Sequence, residues 1–110
     1  MKWRTNLGFR PETCQILEMT HHFLCHCFHH SASEADHMIQ EYFRQYGEFA
    51  DESFVTHELG WRMTMQIECT IGCGNDRSDV MEWERSRGFW NPPAYAVEYE
   101  AKNYWHQFRR

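Results

Sequence analysis

The chain has 110 residues, 42% of them hydrophobic and 25% charged, and its formal net charge is −5 with the histidines neutral. These proportions are typical of a folded domain and exclude low-complexity and collagen-like chains. The negative charge argues against a nucleic-acid-binding protein, whose affinity depends on cations that neutralise phosphates. We therefore expect one domain over residues 1–110 and no nucleic-acid partner.

We expect neither a signal peptide nor a membrane span in this sequence. A signal peptide needs an apolar run of about 7–15 residues, which the opening MKWRTNLGFRP lacks. No run approaches the ~18 apolar residues of a membrane span. The five cysteines are an odd number, which suits a reducing compartment better than a disulfide framework. We expect a soluble, cytoplasmic protein with no membrane partner.

The first thirty residues predict a strand and then a helix. Residues 2–9 alternate between two faces, Trp, Thr, Leu and Phe on one and Lys, Arg and Asn on the other, which is the period of a half-buried strand. Pro11 and Glu12 then suit the first turn of a helix. Apolar residues recur at helical spacing from Ile16 to Phe28, so the sequence predicts an amphipathic helix there.

A second helix follows closely in SASEADHMIQEYFRQYG. Ser31 and Glu34 have the spacing of a capping box, and Ser33 with Asp36 is a second candidate start. Gly47 is a typical end. Two helices joined by so short a turn predict an αα-hairpin.

The middle of the chain predicts a three-stranded antiparallel meander. The segment ESFVTHE is a short strand candidate over 52–58, and WRMTMQIECTI alternates between apolar and polar residues without a fault over 61–71. The turn residues of GCGNDRSD follow. VMEWER then returns over 80–85, with Met81 and Trp83 facing inward and its two glutamates facing outward.

The C-terminal segment fits two alternatives. AYAVEY alternates like a strand, whereas Asn91 and Pro92 resemble a helix start and the apolar residues over 94–108 keep helical spacing. The helix is the favoured alternative. The expected fold class is therefore α+β: an antiparallel three- to four-stranded sheet packed with the αα-hairpin and a C-terminal helix.

The stretch HHFLCHCFHH is dense in metal-binding residue types. On a helix, His22, Cys25 and His29 share one face with His26 beside it, which could supply two or three of the four ligands that zinc prefers. A remaining ligand would come from elsewhere in the chain or from a second copy. The alternative is a polar helix face without a metal, because the spacing matches no zinc finger or ribbon. A metal-binding sensor or carrier is therefore our second hypothesis, with zinc as the metal.

No catalytic motif is present. The chain has neither a phosphate-binding Gly-rich loop nor a nucleophile elbow, and no motif surrounds any cysteine. HELGW begins like the His-Glu-x-x-His motif of zinc proteases, but Trp61 occupies the position of the second histidine. We therefore expect a protein that is not an enzyme.

The segment GEFADESFVTHE combines carboxylates with aromatic rings. Such surfaces associate rapidly with basic partners through electrostatic steering and a few aromatic anchors. The candidate partner-binding residues are Glu48, Phe49, Asp51, Glu52, Phe54 and Glu58. The alternative is an ordinary solvated loop with two core phenylalanines.

Our first hypothesis is a small acidic binding or inhibitor protein, of the toxin-immunity or phage counter-defence type, that blocks a basic functional surface of a larger protein partner. A third hypothesis is a homodimeric structural protein. It rests on Trp90, Tyr95 and Tyr99, because aromatic residues are enriched at interfaces and one small core has little room for all of them.

Overall fold

The computed structural model describes residues 8–48 and 50–105, with side chains up to Asn103. Its five α-helices are α1 (Pro11–Phe28), α2 (Ala32–Tyr46), α3 (Glu52–Ile67), α4 (Val80–Ser86) and α5 (Ala94–Glu100). π-Helical turns at Glu68–Gly72 and Ala101–Trp105 extend α3 and α5, and a 3-10 turn at Arg77–Asp79 precedes α4. The described part contains no strand. The prediction of an α+β fold with an antiparallel sheet is therefore wrong.

Helices α1 and α2 form the predicted hairpin. Pro11 stands at the first position of α1, and Glu12 lies in its first turn. The helix ends where His29 adopts the left-handed conformation (φ 62°) and the N–H of His30 donates to the carbonyl of Leu24 over 3.2 Å. A left-handed residue at the end of a helix turns the chain sharply, and here the turn leads directly towards the next helix.

The capping box predicted at the start of α2 is confirmed. The backbone N–H of Glu34 donates to Ser31 Oγ over 3.1 Å, and the N–H of Ser31 donates to Glu34 Oε1 over 2.9 Å. Two of the otherwise unpaired N–H groups at this helix start are thereby satisfied. One hydrophobic cluster joins the buried faces of α1, α2 and α3, and α1 packs mainly against α3.

Helix α3 is broken near its middle. Leu59 has φ 65° and ψ −177°, a combination that is essentially restricted to glycine. Gly60 follows, buried so closely that an added Cβ would lie 3.0 Å from Met19 Cβ. The carboxylate of Glu100 accepts the N–H of Trp61 over 2.6 Å, so a residue of α5 caps the second half of α3. The sequence instead predicts that one strand ends at residue 58 and the next begins at residue 61.

The second half of α3 replaces the most regular predicted strand, 61–71. Side chains on almost every side of this segment are buried. Its threonine hydroxyls bond back to the preceding turn: Thr64 donates to the carbonyl of Gly60 over 2.7 Å, and Thr70 donates to the carbonyl of Gln66 over 2.7 Å. A helix buried all round carries no amphipathic pattern. The alternation of apolar and polar residues over 61–71 therefore does not indicate a β-strand.

The other two predicted strands are also helical. Residues 52–58 form the first half of α3, and residues 80–85 lie in α4. In α4 the buried residues are Val80, Trp83 and Glu84, at helical spacing, whereas Met81, predicted to face inward, is 56% exposed. Glu84, predicted to face outward, is buried and pairs with Arg62 Nη1 at 2.6 Å.

The two ends of the chain are described in part. Residues 1–7 of the predicted N-terminal strand lie outside the described residues. The favoured C-terminal helix is confirmed over 94–105, which is helical throughout, and 106–108 lie outside the described part. No helix among the described residues is long and apolar enough to cross a membrane.

Candidate functional site: an acidic groove at the start of helix α3

The start of α3 is fixed by its own carboxylate. Asp51 is the N-cap residue, and its Oδ1 accepts the backbone N–H of Phe54 over 3.0 Å. Asp51 is nevertheless exposed, so the cap places a carboxylate on the surface. This helix end also carries a partial positive charge, so an acidic residue is favourably placed there.

Glu52 is held by the chain that leads into α1. Its Oε1 accepts the backbone N–H of Arg10 over 2.7 Å and the hydroxyl of Thr13 over 2.8 Å, and Oε2 lies 3.9 Å from Arg10 Nε. The hydrogen bond from the Arg10 N–H, and then that from Thr13, lower the pKa of Glu52 below its ordinary value. The side chain is therefore ionised and fixed in position at neutral pH.

These two carboxylates border a groove with an aromatic wall. The groove has a volume of about 540 Å³. It is lined by Gly8, Phe9, Phe43, Gly47, Ala50, Asp51, Glu52 and Ser53. Phe9 and Phe43 meet edge to face with their ring centroids 5.2 Å apart. Rings beside carboxylates suit a side chain that has an apolar stem and a cationic head, as Lys and Arg have.

The other predicted partner-binding residues lie outside this groove. Glu48 is exposed in the turn after α2, and Phe49 lies outside the described residues. Phe54 is half-buried, and Arg77 lies over its ring at 4.7 Å. Glu58 lies 3.9 Å from Arg62 and lines a different cavity, on the side of α4. The structure therefore brings Asp51 and Glu52 together and separates Glu58 from them.

Sequence reasoning missed the aromatic wall of the groove. Phe43 belongs to the predicted second helix, and Phe9 to the predicted N-terminal strand. Both assignments were made within single elements, and no local pattern shows that α2, the entry to α1 and the start of α3 converge. The convergence depends on the packing of α1 between the other two.

Two of the proposed metal ligands are engaged with α5. The ring of His22 stacks on Tyr99, with centroids 4.0 Å apart and planes at 7°, and its Nε2 hydrogen-bonds to the hydroxyl of Tyr95. The ring of His26 stacks on Tyr95 at 4.6 Å. These imidazoles form an aromatic seam between α1 and α5.

The remaining two proposed ligands have different surroundings. Cys25 Sγ lies 3.9 Å from Nδ1 of His21, and His29 is exposed at the end of α1. In residues 8–48 and 50–105, no group of three or more His, Cys, Asp or Glu side chains could hold a metal ion. The zinc hypothesis stays a prediction, and no assembled ligand set in the described residues supports it.

Comparisons with known proteins add no assignment. No protein-family model, curated protein or solved structure matches the chain. The functional argument consequently depends on the groove and on the chemistry of individual side chains.

Proposed function

We propose that the protein is a small acidic binding protein, of the toxin-immunity or counter-defence type, that blocks a basic functional surface of a larger partner protein. The observation that carries this proposal is the groove at the start of α3, where Asp51 and Glu52 stand beside the rings of Phe9 and Phe43. The odd number of cysteines supports a reducing compartment such as the cytoplasm.

The groove suits one Lys or Arg side chain of the partner. Its methylene stem would lie against Phe9 and Phe43, and its charged head would meet the two carboxylates. The lowered pKa of Glu52 keeps one of these charges present at neutral pH. Exposed Glu48, in the turn beside the groove, adds a charge that accelerates association with a basic surface.

A site-specific photocrosslinker tests where the partner binds. Benzoylphenylalanine is placed at Ser53, which lines the groove and is exposed, and in a control protein at Glu82, which is exposed on α4. Irradiation in the source cells is expected to give an adduct with a basic protein from position 53 and not from position 82. An adduct from position 82 alone, or from neither position, contradicts the proposal.

The purified partner then allows a test of the charges. Asp51→Asn with Glu48→Gln removes two charges and retains the helix cap, because Asn caps about as well as Asp. Glu82→Gln with Glu98→Gln removes two exposed charges elsewhere. We expect the first pair to slow association several-fold and to reduce its dependence on NaCl, and the second pair to do so less. Equal effects of the two pairs would refute a role of the groove.

A further inference from the structure

A cysteine, a histidine and an aspartate form a line between α1 and α2. Cys25 Sγ lies 3.9 Å from Nδ1 of His21, one helical turn earlier in α1. On the other side of the imidazole, Nε2 lies 3.1 Å from Oδ1 of Asp36 in α2. The tight turn of the hairpin brings Asp36 to this position, so the arrangement depends on both helices.

The hydrogen bonds of His21 determine which ring nitrogen can accept a proton. Nε2 lies 3.1 Å from the carbonyl oxygen of Ala32 as well as 3.1 Å from Asp36. A carbonyl oxygen only accepts hydrogen bonds, and therefore Nε2 carries the hydrogen. In the neutral ring, Nδ1 then has its lone pair free and faces the thiol of Cys25. This is the order of groups in a nucleophile–base–carboxylate triad.

The surroundings keep the thiol protonated at rest. Burial, and then the carboxylates of Asp36 and Glu34, raise the pKa of Cys25. The thiol therefore needs a base beside it to attack readily. His21 is placed to act as this base, and Asp36 stabilises the imidazolium that results. Cys27 lies two residues further along α1 and is also half-buried, and burial alone raises its pKa.

We propose that Cys25 is a nucleophilic thiol, with His21 as its base and Asp36 as the positioning residue, and that it exchanges with small disulfides that carry positive charge. As Cys25 Sγ attacks one sulfur of the disulfide, His21 Nδ1 takes the thiol proton. The disulfide bond of the small molecule breaks while a mixed disulfide with Cys25 forms. The departing thiolate takes the proton back from His21, so that one free thiol is released for each mixed disulfide.

The charge preference follows from the same carboxylates. Asp36 and Glu34 lie close enough to Cys25 to raise its pKa, and the whole chain carries a net charge of −5. A negatively charged disulfide would approach against this field, whereas a dication would be attracted. Cystamine, a dication, is therefore expected to react faster than oxidised glutathione, which is negatively charged.

The test measures the rate at which each cysteine of the native protein forms a mixed disulfide with cystamine, by mass spectrometry at neutral pH. Cys27 is the internal control, since it lies on the same helix with similar exposure. We expect Cys25 to react at least about tenfold faster than Cys27, a modest contribution for a positioned base. His21→Gln should remove this advantage and leave the rate of Cys27 unchanged, and added imidazole should restore part of it.

A second variant distinguishes the loss of a chemical role from the loss of structure. Asp36→Asn keeps an oxygen that can accept the Nε2 hydrogen but removes the charge, so it should lower the ratio of the cystamine rate to the oxidised-glutathione rate at Cys25 without loosening the hairpin. Circular dichroism verifies the helix content of both variants. Equal rates at Cys25 and Cys27 in the native protein would overturn the proposal. So would a Cys25 rate unaffected by both folded variants, or a faster reaction with oxidised glutathione than with cystamine.

Discussion

Helices α1–α3 and helix α5 are held in the molecule by different kinds of interaction. The first three helices bury whole apolar side chains, among them Leu17, Ile39 and Ile67, each 0% exposed. All seven residues of α5 are described, and Ala96 is its one buried side chain, while Val97 is 52% exposed. Because the hydrophobic contribution scales with buried apolar area, it stabilises α1–α3 far more than it stabilises α5.

Polar and ring contacts take the place of apolar burial at α5. Glu100 accepts the N–H of Trp61, Tyr99 stacks on His22, and just beyond the helix the carbonyl of Asn103 accepts a hydrogen bond from Gln15 Nε2 over 3.1 Å. Each contact is a single hydrogen bond or a single pair of rings, whereas the core consists of many packed side chains. We therefore expect α5 to open locally at a lower free energy than the core needs to unfold.

The largest effect should come from a cavity in the core. Leu17→Ala is expected to lower the free energy of unfolding by about 2–5 kcal/mol, because it removes buried methyl groups and leaves a void. Val97→Ala, the matched truncation on the exposed face of α5, should cost less than about 0.5 kcal/mol. Urea unfolding followed by circular dichroism measures both. Similar losses for the two variants would refute the division between core and α5.

A smaller effect should come from the contact that joins the two regions. Glu100→Ala leaves the N–H of buried Trp61 without its acceptor, which is expected to cost about 1–3 kcal/mol. Glu98→Ala, a matched change at an exposed position of α5, should have little effect on stability. Amide hydrogen exchange over 94–100 should accelerate in the first variant and not in the second. Unchanged exchange in Glu100→Ala would show that α5 is held by other contacts.

The same division explains how much of the fold could be predicted from the sequence. Where helices carry an apolar face and a polar face, as α1 and α2 do, periodicity and the capping box at Ser31 gave the correct elements. The second half of α3 has little solvent-facing surface to mark its period, because neighbours bury even Thr64 and, in the turn that follows, Glu68. Its hydroxyl and carboxyl groups are satisfied within the molecule, and Glu68 Oε1 lies 2.6 Å from Nε2 of His30. A pairing between residues so far apart in the chain cannot be recognised from a local sequence pattern.

The candidate sites follow a similar rule. The acidic residues of the groove could be selected from the sequence because charge is visible in composition, but their aromatic neighbours come from distant elements. His22 and His26 were interpreted as ligands by residue type. Their actual partners are Tyr95 and Tyr99 for His22 and Tyr95 for His26, which depend on how α5 packs. Residue types indicated the chemistry available, and packing decided which groups meet.

The smallest effect on stability should appear only in acid, where the attachment of α5 should weaken. Burial, and then the charges of His26 and His21, lower the pKa of His22 below its ordinary value. Tyr95 and Tyr99 are the groups of α5 that face its ring. Because the unfolded chain takes up the proton first, stability should decrease as the pH falls from about 6.5 through the lowered value, and should be unaffected above that range.

Replacement of the imidazole isolates this effect. His22→Phe keeps a flat ring between α1 and α5 but cannot take up a proton, so it should remove the acid-dependent increase in amide exchange over 94–100. His57→Gln, a change at an exposed histidine of α3, should leave that increase as it is in the wild type. If amide exchange over 94–100 increases equally in acid in His22→Phe and in the wild type, protonation of His22 does not loosen α5. If acid loosens α1 as much as α5, the polar attachment of α5 is no weaker than the core.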